Sequence, residues 1–288
     1  MIRNFLPAVL LLALSCLAAL SPTSAGALDL PEASRLPLIA TDQPASLTIP
    51  VYNQAGVKAV LTTLGAYVRP GDSFLLISGN NAKALDVGWL NQAAAEIKAR
   101  FPDNRIVAGT AGLANVGLAA QGVLSPIEEV VYIYEPNMAN EPEFTWDFEG
   151  TLAHVREAAA AIRGHSLAAA VKPTGRPLLQ AYLFKYAWDY GSLGQQVDRT
   201  YVQTQTYCKK SPETFAAAAA ELISDYGAPG PAWSMELSMD PESINGVLAD
   251  QALACAQAAR AWGVSQFLMW WSPAYVGEAA AFMAGLGR

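Results

Sequence analysis

Residues 232–271 read AWSMELSMDPESINGVLADQALACAQAARAWGVSQFLMWW, and they contain one full turn of a repeating plan. An apolar run, Ala232 to Leu237, has the length and composition of a buried strand. Asp240-Pro241 then supplies a capping side chain followed by proline at a first helical position. A helix is predicted from Glu242 to Trp262, and Gly263 stops it in a left-handed turn before a second strand, Val264 to Trp271. A strand, a helix and a strand in this order make a parallel βα unit.

Working outward, the same alternation completes eight cycles. The other predicted strands are Leu47 to Tyr52, Ser73 to Ser78, Arg105 to Ala108, Val130 to Glu135, Leu167 to Lys172 and Thr200 to Thr206. A helical segment is predicted after each. Ser211-Pro212 and Ser272-Pro273 repeat the cap-plus-proline signature, and Gly164 and Gly227 fall at helix stops. A doubly wound dinucleotide fold would carry Gly-x-Gly-x-x-Gly after its first strand, whereas this turn reads Asn53-Gln54-Ala55-Gly56. Eight regular units therefore predict a closed (β/α)8 TIM barrel, α/β in class, over residues 47–288.

The segment before it divides in two. Arg3, the apolar run Phe5 to Leu20 and the small residues Ala25-Gly26-Ala27 predict a signal peptide over 1–27, and hence a secreted or periplasmic protein with no integral membrane span after cleavage. Ala13-Leu14-Ser15-Cys16 matches a lipoprotein box only loosely, with alanine three residues before the cysteine. Residues 28–46, with Pro31, Pro37 and Pro44, predict an irregular arm. A net charge of −7 and the lack of any Lys/Arg cluster argue against nucleic acid as a partner. The oligomeric state is not readable. Cys208 and Cys255, the two cysteines outside the signal, are read as unreactive thiols without a disulfide framework.

In a closed parallel barrel, alternate side chains face inward, and those at the C-terminal strand ends form the floor of any active site. That rule places Val131, Ile133 and Glu135 on one face of strand four, and Ser234 and Glu236 on one face of strand seven. Strand five contributes Lys172, strand six Tyr201, Gln203, Gln205 and Tyr207, strand two Ser78 and Asn80, and strand eight Trp270 in preference to Trp271. His154 and His165 both fall near the helix after strand four, away from the mouth. This argues against histidine-dependent nucleophiles and His-rich metal centres, so no metal or cofactor is expected. A Schiff base on Lys172 is disfavoured because a neighbouring glutamate keeps an amine protonated.

Two carboxyl groups with amide and aromatic neighbours suit glycosidic cleavage, in which one acid protonates the leaving oxygen while a second carboxylate attacks or activates water. Here the chain resembles the (β/α)8 glycoside hydrolases, with Glu135 at the end of strand four, Glu236 at the end of strand seven and Trp270 closing strand eight. That resemblance, carried by Glu135, Glu236 and Trp270, implies a carbohydrate substrate and catalytic roles for Glu135 and Glu236 with Glu135 as acid/base; strand alternation and residue type add Lys172, Gln203, Gln205, Asn80 and Tyr207 to Trp270 as candidate substrate-binding residues. Tyr132 to Glu135 and Gln203-Thr204-Gln205 also resemble uncharacterised bacterial barrel proteins, which implies no activity.

The family places asparagine directly before the strand-four glutamate. Here that position is Tyr134, and Asn140-Glu141-Pro142 follows later, making Glu141 the second candidate. The connection from Pro136 to Phe148 is long, and Glu143, Trp146 and Asp147 are read either as one wall of a cleft or as a solvated loop. A Lys172 ammonium beside Glu135 would favour an ionised carboxylate, which suits a nucleophile or base. The alternative function is a carbohydrate-binding barrel without catalysis, in which Glu135 is held in a salt bridge to Lys172.

Overall fold

A computed structural model describes residues 44–136, 138–179, 188–226 and 233–288. Eight parallel strands close in sequence order: β1 (Ser46–Val51), β2 (Ser73–Ile77), β3 (Arg105–Ala111), β4 (Ile127–Tyr134), β5 (Ala168–Pro173), β6 (Arg199–Val202), β7 (Trp233–Ser238) and β8 (Gln266–Trp270). Closure is made by β1 against β8, where Leu47 pairs with Phe267. The expected barrel is therefore present. The signal segment 1–27, most of the arm, and Gly227 lie outside the described residues.

Among the described residues the helices are α1 (Gln54–Thr62), α2 (Val87–Arg100), α3 (Leu113–Gly122), α4 (Phe148–Arg163), α5 (Tyr190–Gly194), α6 (Gln205–Lys210), α7 (Pro212–Tyr226), α8 (Ala249–Arg260) and α9 (Val276–Gly285). Several begin at a side-chain cap on the C-terminal side of the barrel. Asn53 Oδ1 accepts from Gly56 N at 2.9 Å, Asp86 Oδ1 from Trp89 N at 2.9 Å, and Ser211 Oγ from Thr214 N at 3.1 Å. Each satisfies an amide that the first helical turn leaves without a carbonyl.

Two apolar layers follow the two-residue period of the strands. Leu47, Ile49, Val51, Phe74, Leu76, Val130, Tyr132, Met235, Leu237, Met269 and Trp271 point outward under the helices. Leu75, Ile77, Val107, Val131, Ile133, Ala170, Tyr201 and Leu268 fill the barrel interior, with Tyr52, Met138 and Trp270 packed on that cluster. Glu135, Lys172 and Glu236 continue the inward rows of their strands. The floor of the mouth is thus a packed plug with charge on top.

Five expectations need correction. The barrel begins one residue earlier than predicted, because Ser46 already pairs with Gln266 and Ala45 is buried. Strand six ends at Val202, so Gln205 and Tyr207 stand on α6 and the strand alternation does not apply to them. The helix after β7 starts at Ala249, and Asp240-Pro241 instead opens a pair of tight turns through Ser243 N to Asp240 O and Gly246 N to Ser243 O. Gly246 is needed there, since a Cβ would lie 1.6 Å from the Asp240 carbonyl oxygen. Gly164 ends α4 in a right-handed conformation at φ −57°, and the left-handed residue is Ser166 at φ 61°. Finally, Cys208 and Cys255 form a disulfide that joins α6 to α8.

Candidate active site

Lys172 is the centre of the mouth. It is 1% exposed, and its Nζ donates to Glu135 Oε1 and lies 2.9 Å from Glu236 Oε2. The contact with Glu135 follows from the strand register, because Ile133 pairs with Lys172 across β4 and β5, and Glu135 is the next inward residue of its row; Glu236 meets Lys172 from across the barrel, on the inward face of β7. Gln203, bridged to Thr174 beyond β5, donates from Nε2 to Glu135 Oε2 at 3.0 Å. Both Glu135 oxygens therefore accept hydrogen bonds. Thr204 brackets the backbone of Glu236, accepting its N–H at 2.9 Å and donating to its carbonyl at 3.0 Å.

Neither carboxylate oxygen lies farther than 2.9 Å from the shared nitrogen, so those two oxygens are separated by at most twice that, about 5.8 Å. Burial and the two carboxylates oppose one another at Lys172. Desolvation pulls its pKa down, but Glu135 and Glu236 outweigh that and hold the ammonium above its ordinary range. Glu236 is fully buried, and burial pushes it up to about 7, against the pull of Lys172 and with help from Glu135.

Two cavities open above this centre. One, of about 370 Å³, is bordered by Glu135, Arg176, Gln203, Tyr207 and Asn245, with Ile244 89% exposed at its lip. The other, of about 320 Å³, is bordered by Tyr52, Asn80, Lys83 and Trp270. By strand order the first belongs to β4 through β7 and the second to β1, β2 and β8. Lys172 Nζ sits 5.4 Å from the centroid of the Trp270 ring, at the edge of the second cavity.

The residues proposed from the sequence are thus distributed unevenly. Glu135, Gln203 and Tyr207 line the first cavity, and Asn80 and Trp270 the second. Tyr207 also ties down the β5 loop, donating to Gly175 O at 2.8 Å and to Leu178 O. Lys172 lines neither cavity, because its nitrogen is consumed by the carboxylates beneath the surface. Ser78 has outward parity yet also borders the second cavity, and its Oγ accepts from Asp86 N at 2.8 Å. Gln205 is buried on α6 with Oε1 unpartnered among the described residues. No group of three or more His, Cys, Asp or Glu among the described residues is placed to hold a metal ion.

Glu141 supports the site from behind. It is 3% exposed, and its Oε2 accepts the backbone N–H of Glu135 at 3.1 Å. Burial pushes it up to about 9, against hydrogen bonds from Tyr132 and the Glu135 amide. Glu143 accepts from Leu113 N at 2.5 Å and Tyr132 at 3.1 Å, Asp147 caps α4, and Trp146 packs on Phe144 and Trp188. The long loop after β4 is therefore braced internally and against Leu113 and Trp188, and none of these three side chains lines either cavity.

The most strongly raised carboxyl groups among the described residues, Glu236 and Glu141, dominate the pH dependence of stability. Glu236 and Glu141 keep their protons in the fold at pH values where the unfolded chain, with glutamates near about 4.3, has released them. The native state then binds more protons, so stability falls as pH rises from about 4.5 toward 7 for Glu236 and toward 9 for Glu141. The raised Lys172 acts only in alkali, where its contribution is lost above about 10.4. Urea midpoints are expected to be higher at pH 5 than at pH 8, and Glu141→Gln should flatten the part of the curve between 7 and 9. A midpoint that rises steadily from pH 5 to 9 would contradict both assignments.

Residues missed by strand parity include one that it could have found. Tyr52 follows Thr48 and Pro50 on the inward face of the first strand, and it packs on the interior cluster with its ring 4.8 Å from that of Trp270. Arg176, Ile244 and Asn245 come from loops, where no period applies.

No protein-family profile matches the sequence, and no curated protein matches it. Solved structures do. The class V chitinase of Pseudomonas fluorescens Pf-5 superposes with a TM-score of 0.57 at 14% identity, over 83% of this chain and 98% of the other. The glycoside hydrolase domain of PgaB (BpsB) from Bordetella bronchiseptica gives 0.57 at 7% identity, over 79% and 93%. The spore cortex-lytic enzyme SleL of Bacillus megaterium QM B1551 gives 0.57 at 10%, over 84% and 73%. The fold is that of (β/α)8 glycoside hydrolases. At these identities the likeness is one of architecture, and chemistry has to be argued from the site.

Proposed function

We propose that this chain is a glycoside hydrolase acting on a polysaccharide or oligosaccharide, with Glu135 and Glu236 as its carboxyl pair. The observation that carries the reading is their spacing. One oxygen of each group approaches the same Lys172 nitrogen, so these two oxygens lie no more than about 5.8 Å apart, and the two carboxyl groups face one mouth as a pair flanking a scissile bond must. The cleavage of glycans by enzymes of like architecture agrees with this, as does a mouth of amide and aromatic side chains.

The local chemistry favours exchanging the roles that resemblance implies. Glu135 borders the cavity with both oxygens accepting from Lys172 and Gln203, the state of a carboxylate nucleophile or base. Glu236, pushed up to about 7 with Oε1 unpartnered among the described residues, is the member suited to hold a proton. Being fully buried, it reaches a leaving oxygen only if Lys172 gives way when substrate enters. Export through the segment 1–27 belongs to the same reading, and a disulfide suits an oxidising compartment.

A second reading has its own observation. Lys172 fills the space between the carboxyl groups, and that arrangement equally suits a barrel that binds glycans without cleaving them. Reducing-end release from a panel of polysaccharides separates the two. The hydrolase reading expects Glu135→Gln and Glu236→Gln each to lower release by at least about a hundredfold while binding persists, and a wild-type rate that declines above about pH 7 as Glu236 loses its proton. A wild type that binds glycans yet releases no reducing ends supports the second reading instead.

A further inference from the structure

The end of the barrel away from the mouth carries a second charged layer. The two-residue period that fills the interior with Leu75, Val107, Val131, Tyr201 and Leu268 puts Ser73, Arg105, Glu129, Arg199 and Gln266 two residues earlier on the same inward rows, toward the N-terminal ends of their strands. The register sets several of the wall residues side by side, for Thr48 pairs with Ser73, Ser73 with Arg105, and Ser46 with Gln266 across the closing seam. All of these except Glu129 border a third cavity, of about 230 Å³.

The described side chains of this layer carry more positive than negative charge. Glu129 is 1% exposed; its Oε1 accepts from the Tyr201 hydroxyl at 2.8 Å, and its Oε2 lies 3.1 Å from Arg105 Nη1 and 3.6 Å from Arg199 Nε. One carboxylate thus faces two guanidinium groups, whose side chains stay 27% and 18% exposed. The acids of the cavity wall do not offset the difference. Asp72 is taken up by Arg288 and by the amides of Leu47 and Arg69, and Asp103 is exposed at the rim with no ion pair among the described residues. A guanidinium presents several N–H donors in a fixed fork, which two oxygens of one anion accept together. Thr48 and Ser73 share one hydrogen bond at 2.9 Å, so one of these hydroxyls keeps its hydrogen for another acceptor.

We propose that this cavity binds a small oxyanion, a phosphate or a carboxylate, between Arg105 and Arg199 at the starts of β3 and β6. The packed interior separates it from Lys172, so the bound anion acts on the barrel and not on the carboxyl pair, joining the starts of β1, β2, β3, β6 and β8 across the closing seam. The site does not depend on the hydrolase reading.

Titration calorimetry of the full chain with inorganic phosphate, at an ionic strength fixed with chloride, is the test, and citrate is the carboxylate arm. Saturable binding at a single site is expected. Arg105→Lys keeps the charge but loses the fork, and it should bind about tenfold more weakly. Two charge changes of unaltered shape should move the affinity in opposite directions. Glu129→Gln removes the competing carboxylate and should tighten binding about tenfold, so that phosphate raises its urea midpoint more than that of wild type. Gln266→Glu keeps an acceptor for Arg199, which donates to Oε1 of Gln266 at 2.9 Å, so this variant should fold, and its added charge should abolish binding. Should Glu129→Gln fail to fold, Gln266→Glu decides the matter alone. Citrate binding more tightly than phosphate supports the site and assigns it to carboxylates. The inference is overturned if neither anion binds over the chloride background, if a folded Glu129→Gln binds no better than wild type, or if Gln266→Glu binds as wild type does.

Discussion

Replacing Lys172 with methionine is expected to destabilise the protein by about 3–5 kcal/mol, the usual cost of removing one partner from a buried ion pair. Its nitrogen is the shared counter-charge of two strand-end glutamates, and Glu236 has no other ionic partner among the described residues. Without the ammonium, two carboxyl groups are left in a desolvated mouth. Their affinity for protons then rises further, so the defect should shrink at pH 5, where protonation is easier, and grow at pH 8. The triple variant Lys172→Met/Glu135→Gln/Glu236→Gln removes the charges together and is expected to regain most of the loss, because neutral replacements of buried ion pairs are often tolerated. Urea unfolding with an unchanged m-value is the measurement. A single variant within about 0.5 kcal/mol of wild type would mean that the triad is solvated and that the electrostatic account of the mouth is wrong.

The second large effect is expected at the disulfide. Cys208 and Cys255 are 47 residues apart, and closing a loop of that size in the unfolded chain stabilises by about 4 kcal/mol on chain-entropy grounds. Cys208→Ala/Cys255→Ala should therefore lower Tm by roughly 10 °C. Both cysteines are fully buried, so mild reductant should act only under conditions that open the fold. Thiol titration of denatured, unreduced protein is expected to find neither cysteine free. A double variant with wild-type Tm would show that the bridge contributes nothing under the assay conditions. The loss should also reach the site, because Tyr207, beside Cys208 on α6, anchors the β5 loop at the first cavity.

Much of this was legible in the residues, and the limits are physical. Eight strands could be counted because each is an apolar run bounded by turn residues, and the two-residue period then aimed Glu135, Lys172, Gln203, Glu236 and Trp270 at one mouth. That period stops at the last ladder hydrogen bond. Carried past Val202, it placed Gln205 and Tyr207 on a strand that had already turned into α6. The disulfide left no local signature, since its cysteines lie on different helices and only the packing of α6 against α8 brings their Cα atoms to 5.8 Å. Asp240-Pro241 had the composition of a helix start, but Val247 N returning to Ser238 O draws the segment back onto the end of β7 and delays the helix to Ala249.

The β4 loop is fastened to its neighbours as well as to itself. Asn140 Nδ2 donates to Gly79 O at 2.9 Å and Lys83 O at 2.7 Å, and its own carbonyl oxygen lies 1.9 Å from where a Cβ on Gly112, held at φ +87°, would stand. For an engineer, the transplantable unit on this side of the barrel is consequently a set of three loops. A new specificity segment grafted between β4 and α4 would have to travel with residues 79–83 and with a glycine at 112, and natural drift in any one of the three is constrained by the other two.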